Sequence, residues 1–271
     1  MPRRPAQALR GRRGRPPAAG VRVWRTTDPT IPQAERSAEA TVERSRIDSP
    51  PGAIRRREGS RRDGTAFVLP EEVVEELERL KVGRGVVDAF TRAVDAYGHD
   101  RYPEALRLLA SIRRQARTPA VEELYGLTLY RMGRWSQALR ALVRVSAETG
   151  SVDQYPVVMD CWRALGRREK VEAAYEELRR SSPGAELMAE ARIVRAGAAA
   201  DEGDLSGAID ILGRSAKPVA HPRTFHVRQW YALASLYEQA GDYPAARRLF
   251  RMVLQSGREP YDAAERLAAL D

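Results

Sequence analysis

Large apolar residues recur along this chain at helical spacing, and the pattern they make returns after a break. Trp230, Leu233, Ala234 and Tyr237 precede Gly241-Asp242, and Tyr243, Ala246 and Phe250 follow it. Tyr125, Gly126 and Leu129 stand in the same order before Gly133, with Trp135, Ala138 and Leu142 after it. Spacings of three and four residues put each set on one face of a helix. The glycine between them suits a helix end with left-handed backbone. The predicted unit is a helix, a tight turn and a second helix folded back on the first.

Carried along the chain, the pattern predicts five hairpins. They pair 86–97 with 102–116, 119–132 with 135–148, 152–165 with 168–181, 185–201 with 205–214, and 224–240 with 243–256. One last helix covers 260–269. The turn glycines at 133, 166, 203 and 241 are separated by 33, 37 and 38 residues. The added length falls to 182–190 and 213–223, which hold Pro183-Gly184, Pro218 and Pro222. The first hairpin turns through Gly98-His99-Asp100. Ahead of it, Pro70 with Glu71 and Glu72 predicts a helix start. Val73, Val74, Leu77 and Leu80 share one face of that helix, and Gly83 and Gly85 are expected to end it. Tyr243 and Trp135 are expected to act as plugs between hairpins.

Small residues matter as much as large ones. Two helices approach to about 8–10 Å only where little side chain intervenes. Ala234 with Ala246, and Gly126 with Ala138, are placed to allow that approach.

Charge divides the chain in two. Residues 1–64 hold 16 arginines and 7 acidic residues, and the remainder is balanced, so the formal net charge of +9 belongs to the N-terminal segment. That segment has few large apolar residues and is read as a disordered basic tail, because it cannot bury enough surface to offset its ordering entropy. Its densest spot is Arg55, Arg56, Arg57, Arg61 and Arg62, the candidate phosphate contacts. Trp24 and Phe67 stand alone, so base stacking has little support there.

Candidate chemistry is sparse. Cys161 is the single cysteine, so no intramolecular disulfide forms. His99, His221 and His226 match no zinc-ligand spacing, and no phosphate-cradling GxxxxGK[ST] loop occurs. Acids such as Glu176 and Glu177 alternate with Arg179 and Arg180 as solvated helix-face pairs. No apolar run approaches the roughly 20 residues of a membrane helix. A non-catalytic cytoplasmic protein, without cofactor or metal and without a membrane partner, is expected.

The recurring order of aromatic, glycine turn, aromatic, alanine and large apolar residue resembles the tetratricopeptide repeat (TPR) family, whose repeat is about 34 residues. The fifth hairpin matches best and the fourth least, since Arg192 to Ala200 is mostly alanine. The resemblance, over about residues 86–256, implies an all-α solenoid; with the elements read above, the chain divides into the tail over 1–64, a flanking helix over 65–85, and about five hairpins with a terminal capping helix over 86–271. It also implies a right-handed superhelix with a concave groove lined by the first helix of each pair. Aligned on the family, the groove candidates are Tyr97, Glu123, Leu127, Tyr130, Arg131, Asp160, Arg163, Arg228, Tyr231 and Glu238. The function implied is a scaffold that binds an unidentified protein or peptide in that groove. The alternative is an RNA- or ribosome-associated protein anchored by its arginine-rich tail, a nucleic-acid contact directed at the backbone.

Overall fold

The structure, a computed structural model, describes residues 71–80, 83–257 and 262–270. The tail and its arginine cluster lie outside the described residues. Every regular element among the described residues is helical. The helices are α1 (Glu71–Arg79), α2 (Arg84–Gly98), α3 (Tyr102–Ile112), α4 (Pro119–Arg131), α5 (Trp135–Thr149) and α6 (Tyr155–Ala164). They continue as α7 (Arg168–Arg180), α8 (Ala185–Asp201), α9 (Leu205–Gly213), α10 (Thr224–Gln239), α11 (Tyr243–Gln255) and α12 (Ala263–Ala269). Five antiparallel hairpins follow in order, α2–α3 through α10–α11, and each packs on the next. The fold is an all-α, TPR-like solenoid.

One backbone device makes all five hairpins. The first helix ends on a residue with positive φ: Asp100 at 58°, Gly133 at 70°, Gly166 at 68°, Gly203 at 86° and Gly241 at 79°. The N–H of the next residue then reaches back to a carbonyl five positions earlier. Arg134 donates to Leu129 O at 2.9 Å, Arg167 to Trp162 O at 2.9 Å and Asp242 to Tyr237 O at 2.9 Å. This closure satisfies carbonyls that a helix end would otherwise leave open. The same residue is the N-cap of the second helix, so one position ends one helix and starts the other. Asp204 and Asp242 also cap with their side chains, accepting from Gly207 N and Ala245 N.

The sequence pattern missed that Asp100 fills the glycine's role. Counting it adds a first repeat of 33 residues between Asp100 and Gly133. Aspartate tolerates left-handed backbone better than most side chains, because it is short and polar. Here its carboxylate also accepts hydrogen bonds from the Tyr102 hydroxyl and from Arg131.

Close packing follows from the small residues. Ala138, Ala234 and Ala246 are fully buried. At Gly126 an added Cβ would lie 2.8 Å from Leu142 Cγ, so α4 meets α5 closely there because glycine leaves the space. Leu129, Leu142 and Phe250 fill the volume beside these crossings and are inaccessible to solvent. In the fourth hairpin, Ala191, Ala196 and Ala199 do the same work without aromatic neighbours on α8.

Several boundaries differ from the pattern. Gly83 is the N-cap of α2 and Gly85 lies in its first turn, so neither ends α1, which stops at Arg79. Leu80 follows that end and is about half exposed, whereas Val73 and Leu77 are buried. α3 ends at Ile112 rather than 116, giving way to a turn at Arg113 to Gln115. Trp135 packs edge-on against Tyr130 of its own hairpin, a contact within a repeat rather than between two, and Tyr243 is 49% exposed. Helix α1 is tied to the repeats by Glu76, whose Oε1 accepts from Ala120 N at 3.0 Å in the first turn of α4.

Two stability predictions follow. Ala246→Leu overpacks the α10–α11 crossing and should cost about 1–3 kcal/mol in urea unfolding; an unchanged midpoint contradicts the crossing. Gly166 and Gly213 both have room for a Cβ, but only Gly166 has positive φ. Gly166→Ala should therefore destabilise by about 1–2 kcal/mol, while Gly213→Ala should stabilise by about 0.4–1 kcal/mol.

Candidate functional site

The ten groove candidates sit on the first helices, where the alignment placed them. Seven are buried: Tyr97, Glu123, Leu127, Tyr130, Asp160, Arg163 and Tyr231. Arg131, Arg228 and Glu238 keep partial exposure. The physical reason is stacking. First helices α6, α8 and α10 lie directly against one another, so side chains that point sideways meet the next hairpin. The set lines a seam between repeats, and only those three side chains keep some exposure.

The seam is polar and ordered. The Tyr130 hydroxyl donates to Asp160 Oδ2 at 2.6 Å. Arg163 Nη1 donates to the other oxygen of Asp160 at 3.4 Å. The same guanidinium forks onto Asp201, with Nε to Oδ2 at 2.6 Å and Nη2 to Oδ1 at 3.2 Å. Three successive first helices, α4, α6 and α8, are thus linked by one chain of hydrogen bonds. Above it, Gln154 Nε2 donates to Glu123 Oε1 at 2.6 Å.

Burial sets the charge states. It pulls the Arg163 pKa down, but the Asp160 and Asp201 carboxylates outweigh it and hold the pKa above its ordinary value. Burial, reinforced by the neighbouring Asp160, pushes the Tyr130 hydroxyl well up, so it stays protonated and donates. Tyr97 is pushed up to about 12, mainly by burial. The Cys161 thiol is buried and its pKa is also raised, which leaves little thiolate.

Gly197 is the residue that sequence reasoning missed here. A Cβ at that position would stand 2.7 Å from Arg163 Cζ, so a bare backbone on α8 makes the slot for the guanidinium. Counting back six residues from each turn residue aligns Gly197 with Asp160, and that register could have flagged it. Asp201, the second carboxylate, was also unmarked. So were two links between neighbouring hairpins: Arg195 to Glu172 at 2.8 Å and Arg228 to Glu190 at 2.8 Å. In the latter pair Glu190 Oε1 and Arg228 Nε are buried without a hydrogen-bond partner. Burial accordingly raises the Glu190 pKa against the pull of Arg228.

The C-terminal end is tied down in the same style. Tyr231 donates to Asp262 Oδ1 at 2.6 Å, and Arg266 reaches from α12 to the Tyr231 hydroxyl, Ser235 and Glu238. Among the described residues no group of three or more His, Cys, Asp or Glu is placed to hold a metal ion. No helix among them is long and apolar enough to cross a membrane.

No protein-family model matches the chain. No curated protein matches it by sequence. Among solved structures it resembles a thermophilic TPR protein of Thermus thermophilus, with a TM-score of 0.53 and 19% identity, over 68% of this chain and 98% of that one. The likeness is one of fold.

The Arg163 slot gives a coupled prediction. Gly197→Ala should displace the guanidinium and cost about 1–3 kcal/mol in the native background. In an Arg163→Ala background the same change should be neutral or stabilising, by up to about 1 kcal/mol, since alanine favours a helix over glycine. Equal costs in both backgrounds, measured by denaturant unfolding, would contradict the slot.

Proposed function

We propose that this chain is a non-catalytic protein-interaction scaffold that binds a partner segment along the face formed by its first helices. One observation carries the reading: five hairpins with the same turn stack into a TPR-like solenoid. An extended, rigid surface of that kind is suited to holding another chain. The side chains at its face mix aromatic, cationic and acidic groups, which suits a polar peptide better than a purely apolar one.

The partner contacts fall to the partly exposed Arg131, Arg228 and Glu238, with the buried seam holding them in place. Arg131 lies over the Tyr102 ring, 5.0 Å from its centroid, and Arg228 is anchored by Glu190, so both guanidiniums are fixed before a partner arrives. A guanidinium already held in place loses less freedom on binding. No described residue favours the alternative of a tail-borne nucleic-acid anchor.

The test is affinity capture with the full chain and with residues 1–64 deleted, each with and without nuclease, followed by titration of the captured partner. The scaffold reading expects a protein partner that survives nuclease and tail deletion. Arg131→Gln, which leaves the buried Glu190–Arg228 pair intact, should weaken that partner tenfold or more while the chain stays folded by circular dichroism. Capture that vanishes with nuclease or with the tail would overturn it.

A further inference from the structure

Outside the seam, three guanidiniums converge on one buried carboxylate. Glu122, in the first turn of α4, is 1% exposed. Arg113, just beyond α3, forks onto it, with Nε to Oε1 at 2.6 Å and Nη2 to Oε2 at 3.0 Å. Arg117, in the α3–α4 connection, donates from Nε to Oε1 at 2.8 Å. Arg144 of α5 brings Nη1 to 3.9 Å from Oε2, an ionic contact longer than a hydrogen bond.

The stoichiometry is lopsided. The Arg113 fork alone neutralises Glu122 and satisfies both its oxygens. Arg113 is itself fixed, with its guanidinium 3.8 Å from the centre of the Tyr125 ring. Arg117 and Arg144 are therefore cations beyond what the carboxylate needs. Their side chains are 50% and 43% exposed. The Nη groups of Arg117 and the N–H groups of Arg144 make no hydrogen bond to protein among the described residues. Two half-exposed guanidiniums beside a neutral pair leave a net charge of about +2, with donors to spare.

We propose that Arg117 and Arg144, set on the Arg113–Glu122 pair, form a binding site for a phosphate monoester carried by a protein partner. A phosphorylated side chain bears about −1.5 to −2 charge at neutral pH and three acceptor oxygens, which match that surplus and those donors. Guanidinium forks suit such oxygens geometrically. The cluster is compact, since Arg117 and Arg144 both come within 3.9 Å of the same carboxylate. The one ring at its centre, Tyr125, is already covered by Arg113. A nucleic-acid strand would call instead for a track of cations and open rings. The proposal rests on the scaffold reading, since it names one feature of the partner, but it uses a different surface from Arg131 and Arg228.

The experiment is fluorescence anisotropy on the full chain, with a labelled phosphoserine peptide in a neutral glycine-serine context and its unphosphorylated twin. The phosphopeptide should bind at least tenfold tighter than the twin. R117Q/R144Q should abolish that preference with the melting temperature unchanged, since Arg113 and Glu122 remain paired. Inorganic phosphate should compete in the millimolar range. Equal binding of the two peptides, or a preference that survives R117Q/R144Q, overturns the proposal. So does loss of binding to a single-stranded RNA in R117Q/R144Q without any phosphopeptide preference, which assigns the cluster to nucleic acid. If the peptides fail while partner capture still depends on Arg131, this inference falls and the scaffold reading stands.

Discussion

A positive φ at the end of each first helix is the constraint on which the rest of the fold depends. It turns the chain within two residues and hands it directly to the next helix. Because five junctions share this geometry, five hairpins share one shape. Only units of like shape can stack repeatedly with the same faces in contact. Four junctions meet the constraint with glycine and one with aspartate, so the backbone conformation is what repeats, not the residue.

Stacking then creates a second requirement. First helices that lie side by side bury whatever polar groups point along the stack, and a buried polar group must be paired. The chain meets this with Tyr130, Asp160, Arg163 and Asp201 in one network, and with Gln154 and Glu123 above it. A buried ion pair of this kind adds little net stability, but breaking it costs several kcal/mol. The network links α4, α6 and α8 across three hairpins. The bare backbone at Gly197 belongs to the same design, since any larger residue would fill the guanidinium's slot.

The fold was legible in the sequence because its signals are local. Gly133, Gly166, Gly203 and Gly241 mark the turns, and Ala138 and Ala246 mark the crossings. Each hairpin's helices fell within a few residues of their places. Asp100 was missed because the turn's glycine, Gly98, still lies in the helix and the left-handed position two residues on is an aspartate. Gly83 and Gly85 were misassigned because a glycine can open a helix as well as close one. The candidate site was less legible. Periodicity correctly put Tyr130, Asp160 and Arg163 on the first helices, but it cannot say whether a neighbour covers them. Gly197, Asp201 and the Arg117–Arg144 surplus join residues 27 to 38 positions apart in the chain or carried no marked motif. Their meaning comes from which hairpin lies beside which.

Native-state hydrogen exchange, compared between the full chain and Arg163→Met, tests the stacked-hairpin account most directly. If Arg163 ties neighbouring hairpins together, amides of α6 through α9 should lose protection while those of α2 and α3 keep theirs. Uniform loss along every helix would show one undivided core rather than coupled repeats. Unchanged protection at α6 and α8 would show that the seam does not hold the hairpins together, and either result would contradict the account.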